Sequence, residues 1–194
     1  MPAVSGIVLA GGRSARFGRD KLAEPIGDTP LLHRAIDAVA AVAAEVIVVA
    51  PPDIQPPIPD GVRLVHDSAP YEGPLAGCLI GLTAAREPLV LVAGGDMPFL
   101  EPAVLELLVR SLEASATDAV LLEHRGRRQQ LPFAIRTGAG TDLATRLLAQ
   151  GERRLGAIAE HLIVRVLLEG EWRPLDPEAR TLRDVDEPDD LPPV

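Results

Sequence analysis

Short apolar runs alternate along this chain with segments in which apolar residues recur at every third or fourth position. The runs are rich in Val, Ile and Leu and have the length of buried β-strands. The spaced segments are typical of amphipathic α-helices. Strands are predicted at residues 5–10, 45–50, 62–66, 89–93, 119–123, 131–135 and 163–168, and helices at residues 31–42, 75–85, 101–115, 142–150 and 155–162.

This order of elements indicates the fold class. Strands that alternate with helices form parallel or mostly parallel sheets, which helices cover on both faces. We therefore expect a three-layer α/β/α fold with a mostly parallel central sheet, built as a single domain from residues 1–194. The proline-rich residues 51–59 lie between two predicted strands, which favours a surface loop over a domain linker.

Composition and charge narrow the classes of function. The formal net charge is −9, and a surface of that sign repels a phosphate backbone, so we expect no nucleic-acid partner. The one cysteine, Cys78, excludes an internal disulfide and a cysteine-based zinc site. No segment approaches the roughly 20 apolar residues of a membrane span, and the first residues lack the basic start of a signal peptide. We expect a cytoplasmic protein without a membrane partner.

Polar loops come after three of the predicted strands. They are residues 11–21, residues 67–68 and residues 94–98. In parallel α/β sheets, ligands bind in the crevice outside the carboxyl ends of the strands. The three loops are therefore expected to converge on one binding site.

The first of these loops has the groups that a triphosphate needs. Gly11 and Gly12 allow backbone N–H groups to approach phosphate oxygens closely. Arg16 and Lys21 can neutralise phosphate charge, and we expect Lys21 to face solvent when no ligand is bound. The spacing matches neither a Walker A motif nor the G-x-G-x-x-G dinucleotide pattern. On these residues alone, a glycine turn with solvated basic side chains remains the alternative.

Asp96 follows a predicted buried strand through two glycines. A carboxylate there suits Mg²⁺, which keeps most of its waters and takes only one or two carboxylates from a protein. The alternative is an aspartate that caps the next helix, predicted to begin near residues 98–101. The phosphate-binding character of the first loop favours the metal role, because Mg²⁺ and polyphosphates are bound together.

Several motifs then resemble one known family. Residues 9–21, LAGGRSARFGRDK, are similar to the L-A-G-G-x-S-x-R-M/F-G-x-D-K signature of the molybdenum cofactor guanylyltransferases, the MobA family. Similar motifs follow in order: GPLAG at 73–77, GDMP at 95–98, GERR at 151–154, and an ending at 184–191 that resembles N-x-N-T-P-E-D-L. The resemblance covers almost the whole chain and implies a Rossmann-like nucleotidyltransferase fold.

The resemblance also implies an activity and its site. The activity is Mg²⁺-dependent transfer of GMP from GTP to the phosphate of molybdopterin or Mo-molybdopterin, with release of pyrophosphate. Transient contacts with molybdoenzymes or with other proteins of cofactor biosynthesis would accompany it. The implied catalytic residues are Arg16, Lys21 and Asp96, with Asp96 as the metal ligand. The implied nucleotide-binding residues are Leu9, Ala10, Gly11, Gly12, Lys21, Asp67 and Asp96.

The acceptor side is less sharply defined by the motifs. The resemblance places residues 73–77, Arg153 and Arg154 nearer the pterin, although the two arginines also suit a helix end or the surface. Since the pterin phosphate is already ionised near neutral pH, no general base is required, and none of the four histidines is given a catalytic role.

Three positions depart from the family pattern. Val49 stands where the family often has an asparagine, and Asp184 and Asp186 stand in place of the usual asparagines of the ending. Molybdopterin cytidylyltransferases share much of this plan, so CTP remains an alternative to GTP. A sugar-1-phosphate nucleotidyltransferase and a nucleotide-binding protein without turnover are further alternatives.

Overall fold

The structure is a computed structural model that describes residues 3–11, 21–67 and 73–191. Its helices are α1 (Leu31–Ala40), α2 (Pro74–Ala84), α3 (Pro102–Glu113), α4 (Thr137–Ala149), α5 (Ala157–His161) and α6 (Glu169–Trp172). Its strands are β1 (Val4–Leu9), β2 (Pro25–Ile26), β3 (Thr29–Pro30), β4 (Glu45–Ala50), β5 (Arg63–His66), β6 (Leu89–Gly94), β7 (Ala119–His124), β8 (Arg127–Arg136) and β9 (Val164–Leu167). Short 3₁₀ turns occupy Lys21–Ala23, Arg180–Leu182 and Pro188–Asp190.

Seven of these strands form a central sheet in the order β5-β4-β1-β6-β8-β7-β9. Strand β1 pairs in parallel with β4 and β6, β4 with β5, and β7 with β9. Strand β8 is antiparallel to both β6 and β7, so those two strands point the same way. Within the described part of the sheet, β8 alone runs in the opposite direction. The prediction of a mostly parallel sheet is confirmed.

Helices cover both faces of this sheet. Alternate side chains of a strand point to opposite faces, and Val8 and Ile7 of β1 accordingly belong to different apolar clusters. The cluster around Val8 contains side chains of α1 and α3, and the cluster around Ile7 contains side chains of α2 and α4. This arrangement gives the three predicted layers and explains why β1, β4 and β6 are largely apolar.

Two elements are longer than the sequence pattern indicated. Strand β8 begins at Arg127, four residues before the predicted start near residue 131. The apolar pattern missed these first residues because they are polar and largely exposed. Arg125 and Gly126 join it to β7 with positive φ angles of 52° and 73°, as a two-residue type I′ hairpin turn requires. Helix α4 begins at Thr137, whereas the sequence pattern predicted a start near residue 142. The first turn was missed because its two glycines have low helix propensity.

The carboxyl ends of the central strands are joined by backbone hydrogen bonds. The N–H of Gly95 donates to the carbonyl of Leu9 (2.9 Å), and the N–H of Ala10 donates to the carbonyl of Val49 (2.8 Å). The N–H of Asp67 donates to the carbonyl of Ala50 (2.9 Å). The segments that follow β1, β4, β5 and β6 therefore lie at one edge of the sheet.

No helix in the described portion of the chain has both the length and the apolar character that a membrane crossing requires.

Candidate active site

Two glycines at the end of β6 position Asp96. A Cβ atom on Gly94 would lie 2.6 Å from Oδ1 of Asp96, so the missing side chain makes room for the carboxylate to fold back over the strand end. A Cβ atom on Gly95 would lie 3.0 Å from Cδ1 of Leu32 and 3.3 Å from the carbonyl oxygen of Leu9. The glycines thus allow close packing on β1 and hold Asp96 at the sheet edge.

Lys21 reaches Asp96 from the turn that begins at residue 21. Its Nζ atom donates to Oδ2 of Asp96 (2.8 Å), to Oδ1 of Asp186 (3.1 Å) and to the carbonyl of Val185 (3.1 Å). The Lys21 side chain is only 12% exposed, so the expectation that it faces solvent is wrong. The turn is anchored by the buried side chain of Leu22, and three acceptors draw the ammonium inward.

The electrostatics of this cluster favour a charged lysine. Partial burial acts to lower the pKa of Lys21, but the hydrogen bonds and negative charges of Asp96 and Asp186 outweigh it and raise the pKa above its ordinary value. The pKa of Asp184 is also raised, first by its removal from water and then by the charges of Asp186 and Asp96. Four charged side chains of the cluster therefore influence one another.

A C-terminal segment closes one side of the cluster, and we call residues 184–191 the strap. Val185 is buried against Leu31, and its N–H donates to the carbonyl of Asp96 (2.9 Å). Oδ2 of Asp190 accepts hydrogen bonds from the N–H groups of Asp186 (2.9 Å) and Glu187 (2.8 Å). These contacts fix the strap over the end of β6 and hold Asp186 beside Lys21.

The other predicted nucleotide-binding residues that the structure describes lie along the same edge. Gly11 is exposed at the end of the first strand, whereas Ala10 is buried. Asp67 follows β5, and its Oδ1 atom is buried without a hydrogen-bond partner among the described residues. A buried acceptor without a donor destabilises the folded protein by about 1–3 kcal/mol. A ligand that donates a hydrogen bond to this oxygen would remove that cost. Gly12 and Arg16 lie outside the described residues.

The two motifs expected near the acceptor pack against each other. Gly73 has a φ of +93°, and a Cβ atom there would lie 3.0 Å from both the Cβ and the carbonyl oxygen of Arg153. The N–H of Leu75 donates to the same carbonyl (3.3 Å). Residues 73–77 and 151–154 thus form one surface. A Cβ atom on Gly77 would lie 3.7 Å from side-chain atoms of Leu9 and Val49, which connects this surface to the ends of β1 and β4.

Both arginines of this surface have local partners. The guanidinium of Arg153 donates to the carbonyls of Leu148 (3.2 Å) and Glu152 (2.9 Å), which corresponds to the helix-end alternative. Arg154 pairs with Glu152 (2.7 Å) and Glu160 (3.1 Å). Hydrogen bonds from the Arg154 side chain, and then from the N–H groups of Arg154 and Arg153, lower the pKa of Glu152 to about 2.

The donor set around Asp96 fits a hard divalent cation. Magnesium needs oxygen ligands and commonly takes one or two carboxylates, and Asp96 and Asp186 both present carboxylate oxygens at Lys21. The described residues contain no group of three or more His, Cys, Asp or Glu arranged for a metal, so a closed all-protein cage is not built here. Cys78 is buried, which raises its thiol pKa to about 12 and makes it a poor metal ligand.

The capping alternative for Asp96 does not match the structure. Helix α3 begins at Pro102, its N-cap residue is Glu101 rather than Asp96, and the side chain of that cap residue makes no capping hydrogen bond. The carboxylate of Asp96 instead contacts Lys21. Its present role is that of an ion-pair partner at the sheet edge.

Comparison with known proteins identifies the family. Residues 6–165 match the family described as the MobA-like NTP transferase domain. The chain belongs to this family. A probable molybdenum cofactor guanylyltransferase from Chloroflexus aggregans is 36% identical over 197 residues, which cover 97% of this chain and 91% of the relative.

Solved structures support the same fold for this MobA-like NTP transferase. Molybdopterin-guanine dinucleotide biosynthesis protein A from Archaeoglobus fulgidus has a TM-score of 0.80 at 23% identity, covering 96% of this chain and 94% of its own. A manganese complex of Rv0371c from Mycobacterium tuberculosis H37Rv has a TM-score of 0.66 at 20% identity, covering 86% of this chain and 88% of its own. The predicted Rossmann-like nucleotidyltransferase fold is confirmed.

Sequence patterns did not foresee the contacts of the strap in this MobA-like NTP transferase. The similarity of residues 184–191 to a family ending pointed to the segment but assigned no role to Asp184 or Asp186. The structure brings Asp186 and the carbonyl of Val185 onto Lys21. It leaves Val49 buried, so that position offers no polar side chain to a ligand.

Proposed function

We propose that this MobA-like NTP transferase transfers GMP from GTP to the phosphate of molybdopterin or Mo-molybdopterin and releases pyrophosphate. The observation that carries the proposal is the contact between Lys21 and Asp96 at the carboxyl ends of the central strands, in a chain of this family. The relative from Chloroflexus aggregans, named a probable molybdenum cofactor guanylyltransferase, supports it over almost the whole length. A single domain over residues 1–194 and a cytoplasmic location belong to the same proposal.

The chemistry asks little covalent work of the protein. An oxygen of the pterin phosphate attacks the α-phosphorus of GTP in line, the new P–O bond forms, and the bond to the bridging oxygen of pyrophosphate breaks. The protein positions the two substrates and balances their charge. Lys21 and Arg16 neutralise the negative charge that grows on the leaving pyrophosphate. The acceptor phosphate is already ionised, so no proton has to be removed first.

The nucleotide is assigned to the edge that Leu9, Ala10, Gly11, Lys21, Asp67 and Asp96 line, and Gly12 remains a proposed binding residue from its place in the motif. The exposed backbone of Gly11 supports this assignment, because a glycine without a side chain permits close approach by a phosphate. The Oδ1 atom of Asp67, which is buried without a partner among the described residues, supports it as well, since it is an acceptor for a hydroxyl or amine donor of the nucleotide.

Asp96 is the proposed ligand of Mg²⁺. When bound there, Mg²⁺ would supply positive charge to the phosphate oxygens during transfer. The manganese complex of the M. tuberculosis structural neighbour supports a divalent cation in proteins of this fold. Asp96 must then weaken its contact with Lys21 in order to bind the cation. Its side chain is 30% exposed, so a cation can approach it from solvent.

The acceptor is assigned to the surface formed by residues 73–77 and 151–154. This surface adjoins the ends of β1 and β4 through Gly77, and its arginines supply positive charge near the site of transfer. Arg153 and Arg154 would have to leave part of their present contacts to meet an acceptor phosphate. Transient contact with molybdoenzymes or other cofactor-biosynthesis proteins is part of the same proposal.

A direct assay of transfer tests the function. Labelled GTP and labelled CTP should be compared for Mg²⁺-dependent transfer to molybdopterin, with a sugar 1-phosphate as a second acceptor. We expect transfer from GTP to molybdopterin, because the related protein is named a guanylyltransferase. Preferential use of CTP or of the sugar phosphate would contradict the proposal, and binding of GTP without any transfer would favour a non-catalytic nucleotide-binding protein.

A further inference from the structure

The strap places the carboxylate of Asp186 on Lys21, the residue that the proposed function assigns to the phosphates of the nucleotide. An ammonium group has three N–H donors, and the three donors of Lys21 are matched by Asp96, Asp186 and the carbonyl of Val185. Lys21 therefore has no donor left for a phosphate in this conformation. A polyphosphate that contacts Lys21 must displace at least one of the three acceptors.

Asp186 is the acceptor most readily displaced. Its side chain is 53% exposed, against 30% for Asp96, so its carboxylate returns to water with little loss. The carbonyl of Val185 belongs to a residue whose side chain is buried and whose N–H is bonded to Asp96. Exposed ion pairs contribute little free energy, so Asp186 is held at Lys21 strongly enough to occupy it and weakly enough to leave.

We propose that Asp186 is a positioning residue that occupies Lys21 in the free protein, yields to a phosphate when nucleotide binds, and competes with pyrophosphate for Lys21 after transfer. This inference rests on the proposed function, because it assumes that Lys21 contacts the polyphosphate. Its physical basis is that the ammonium of Lys21 binds the carboxylate of Asp186 in the free protein and a phosphate in the complex. Asp190 accepts hydrogen bonds from the N–H groups of Asp186 and Glu187 and so keeps the carboxylate of Asp186 close to Lys21.

The test uses inorganic pyrophosphate as the probe, titrated by calorimetry into the full chain at low ionic strength without divalent cations. Asp186→Asn keeps the size of the side chain and removes its charge. We expect it to bind pyrophosphate roughly two- to fivefold more tightly than the wild type. Asp189→Asn is the matched control, since Asp189 is exposed on the same strap and its loss removes the same charge from the surface.

A second arm separates competition from general charge effects. In a Lys21→Met background, Asp186→Asn should leave pyrophosphate affinity unchanged, because the shared cation is gone. Structural damage alone would weaken binding and would not tighten it. Equal tightening in Asp189→Asn, unchanged or weaker binding in Asp186→Asn, or a persistent effect in the Lys21→Met background would each overturn the inference.

This experiment is independent of the transfer assay. Pyrophosphate carries no base and no acceptor, so its binding reports on the phosphate-binding groups and not on base recognition or transfer. If pyrophosphate binds neither the wild type nor Asp186→Asn, the inference is wrong, because no phosphate then reaches Lys21. Transfer from GTP by the wild type, measured separately, decides the proposed function.

Discussion

The ammonium of Lys21 lies 2.8 Å from a carboxylate oxygen of Asp96, although 75 positions of sequence separate the two residues. The contact joins the turn that begins at residue 21 to the loop after β6. Both side chains are partly shielded from water, so each residue is an important part of the other's environment. Removal of either one affects both the stability of the free protein and the charge available to a ligand.

Lys21→Ala should weaken both nucleotide binding and folding. Loss of a charge-assisted contact is worth about 1.5–3 kcal/mol, so GTP affinity should fall roughly ten- to a hundredfold. The variant also leaves Asp96 and Asp186 without their shared cation, which should lower the free energy of unfolding by roughly 1–3 kcal/mol. Calorimetry with GTP and denaturant unfolding measure the two effects.

Arg110→Ala is the control for this substitution. Arg110 is 63% exposed and pairs with Glu106 one turn away on α3, a surface pair worth about 0.2–1 kcal/mol. Its loss should leave GTP affinity unchanged. If Lys21→Ala behaves like Arg110→Ala in both measurements, the contact between Lys21 and Asp96 contributes neither to GTP binding nor to stability.

Asp96→Asn should abolish most turnover while the protein still folds. The amide keeps the shape of the side chain but offers Mg²⁺ no negative charge, so we expect GMP transfer to fall at least about a hundredfold and to need more Mg²⁺. Transfer should be measured against Mg²⁺ concentration for both proteins. Asp142→Asn, an exposed position on α4, should retain normal turnover. Wild-type turnover and magnesium dependence in Asp96→Asn would exclude the metal role.

Acid should destabilise the protein partly through Glu45. Its carboxylate accepts hydrogen bonds from Ser5 (2.7 Å), the N–H of Arg86 (2.8 Å) and Arg63 (2.8 Å). Partial burial acts to raise the pKa of Glu45, but these contacts prevail and lower it below 4.5. A depressed pKa in the folded state gives stability that is present above the unfolded-state value and is lost as pH falls through the folded-state value.

The measurement for Glu45 is unfolding by denaturant at neutral pH and at several values below pH 4.5. Glu45→Gln should be less stable than the wild type at neutral pH and should lose less additional stability in acid, because it has no proton to gain. Parallel pH dependences for the two proteins would show that Glu45 does not contribute to acid unfolding.

The sequence predicts the central sheet well for a physical reason. Strands β1, β4 and β6 are buried on both faces, so nearly every position is apolar and the pattern is strong. The start of β8 lies beyond the core, where polar residues pair through backbone groups alone. Burial leaves a sequence signal, and backbone pairing of exposed residues does not.

The candidate site was predictable only in part for a similar reason. Asp67 comes directly after β5, and Asp96 follows the apolar strand β6 after one intervening residue, so their place at the sheet edge follows from topology. The contact between Lys21 and Asp186 joins residues 165 positions apart. It depends on how the strap returns across the sheet, and no local pattern encodes that path. The inward orientation of Lys21 was missed because its acceptors were not foreseen.

Asp67→Asn should separate stability from binding. In the free protein the buried Oδ1 atom has no partner among the described residues, so removal of the charge should leave the free energy of unfolding unchanged or slightly higher. In the complex the neutral amide is a weaker acceptor, and GTP affinity should fall roughly tenfold. Thermal unfolding and calorimetry test the pair of effects, with the exposed Asp60→Asn as control. Lower stability with unchanged affinity would assign Asp67 a purely structural role.

Gly73→Ala should disturb the surface assigned to the acceptor. Gly73 has a φ of +93°, a conformation that costs a residue with a side chain of order 1–3 kcal/mol. The new methyl group would also lie 3.0 Å from the Cβ and the carbonyl oxygen of Arg153, so the start of α2 and the segment before α5 must move apart. Gly138→Ala is the matched control, because that glycine lies in helix α4 with open space around it.

The two alanine variants should therefore diverge. Gly73→Ala should lower the free energy of unfolding by roughly 1–3 kcal/mol and raise the KM for molybdopterin more than the KM for GTP, since residues 73–77 and Arg153 belong to the proposed acceptor surface. Gly138→Ala should be neutral or more stable by up to about 1 kcal/mol and keep both KM values. Denaturant unfolding and steady-state transfer with each substrate varied in turn provide the comparison. If Gly73→Ala raises the KM for GTP alone, the surface belongs to the nucleotide and the acceptor must bind elsewhere along the sheet edge.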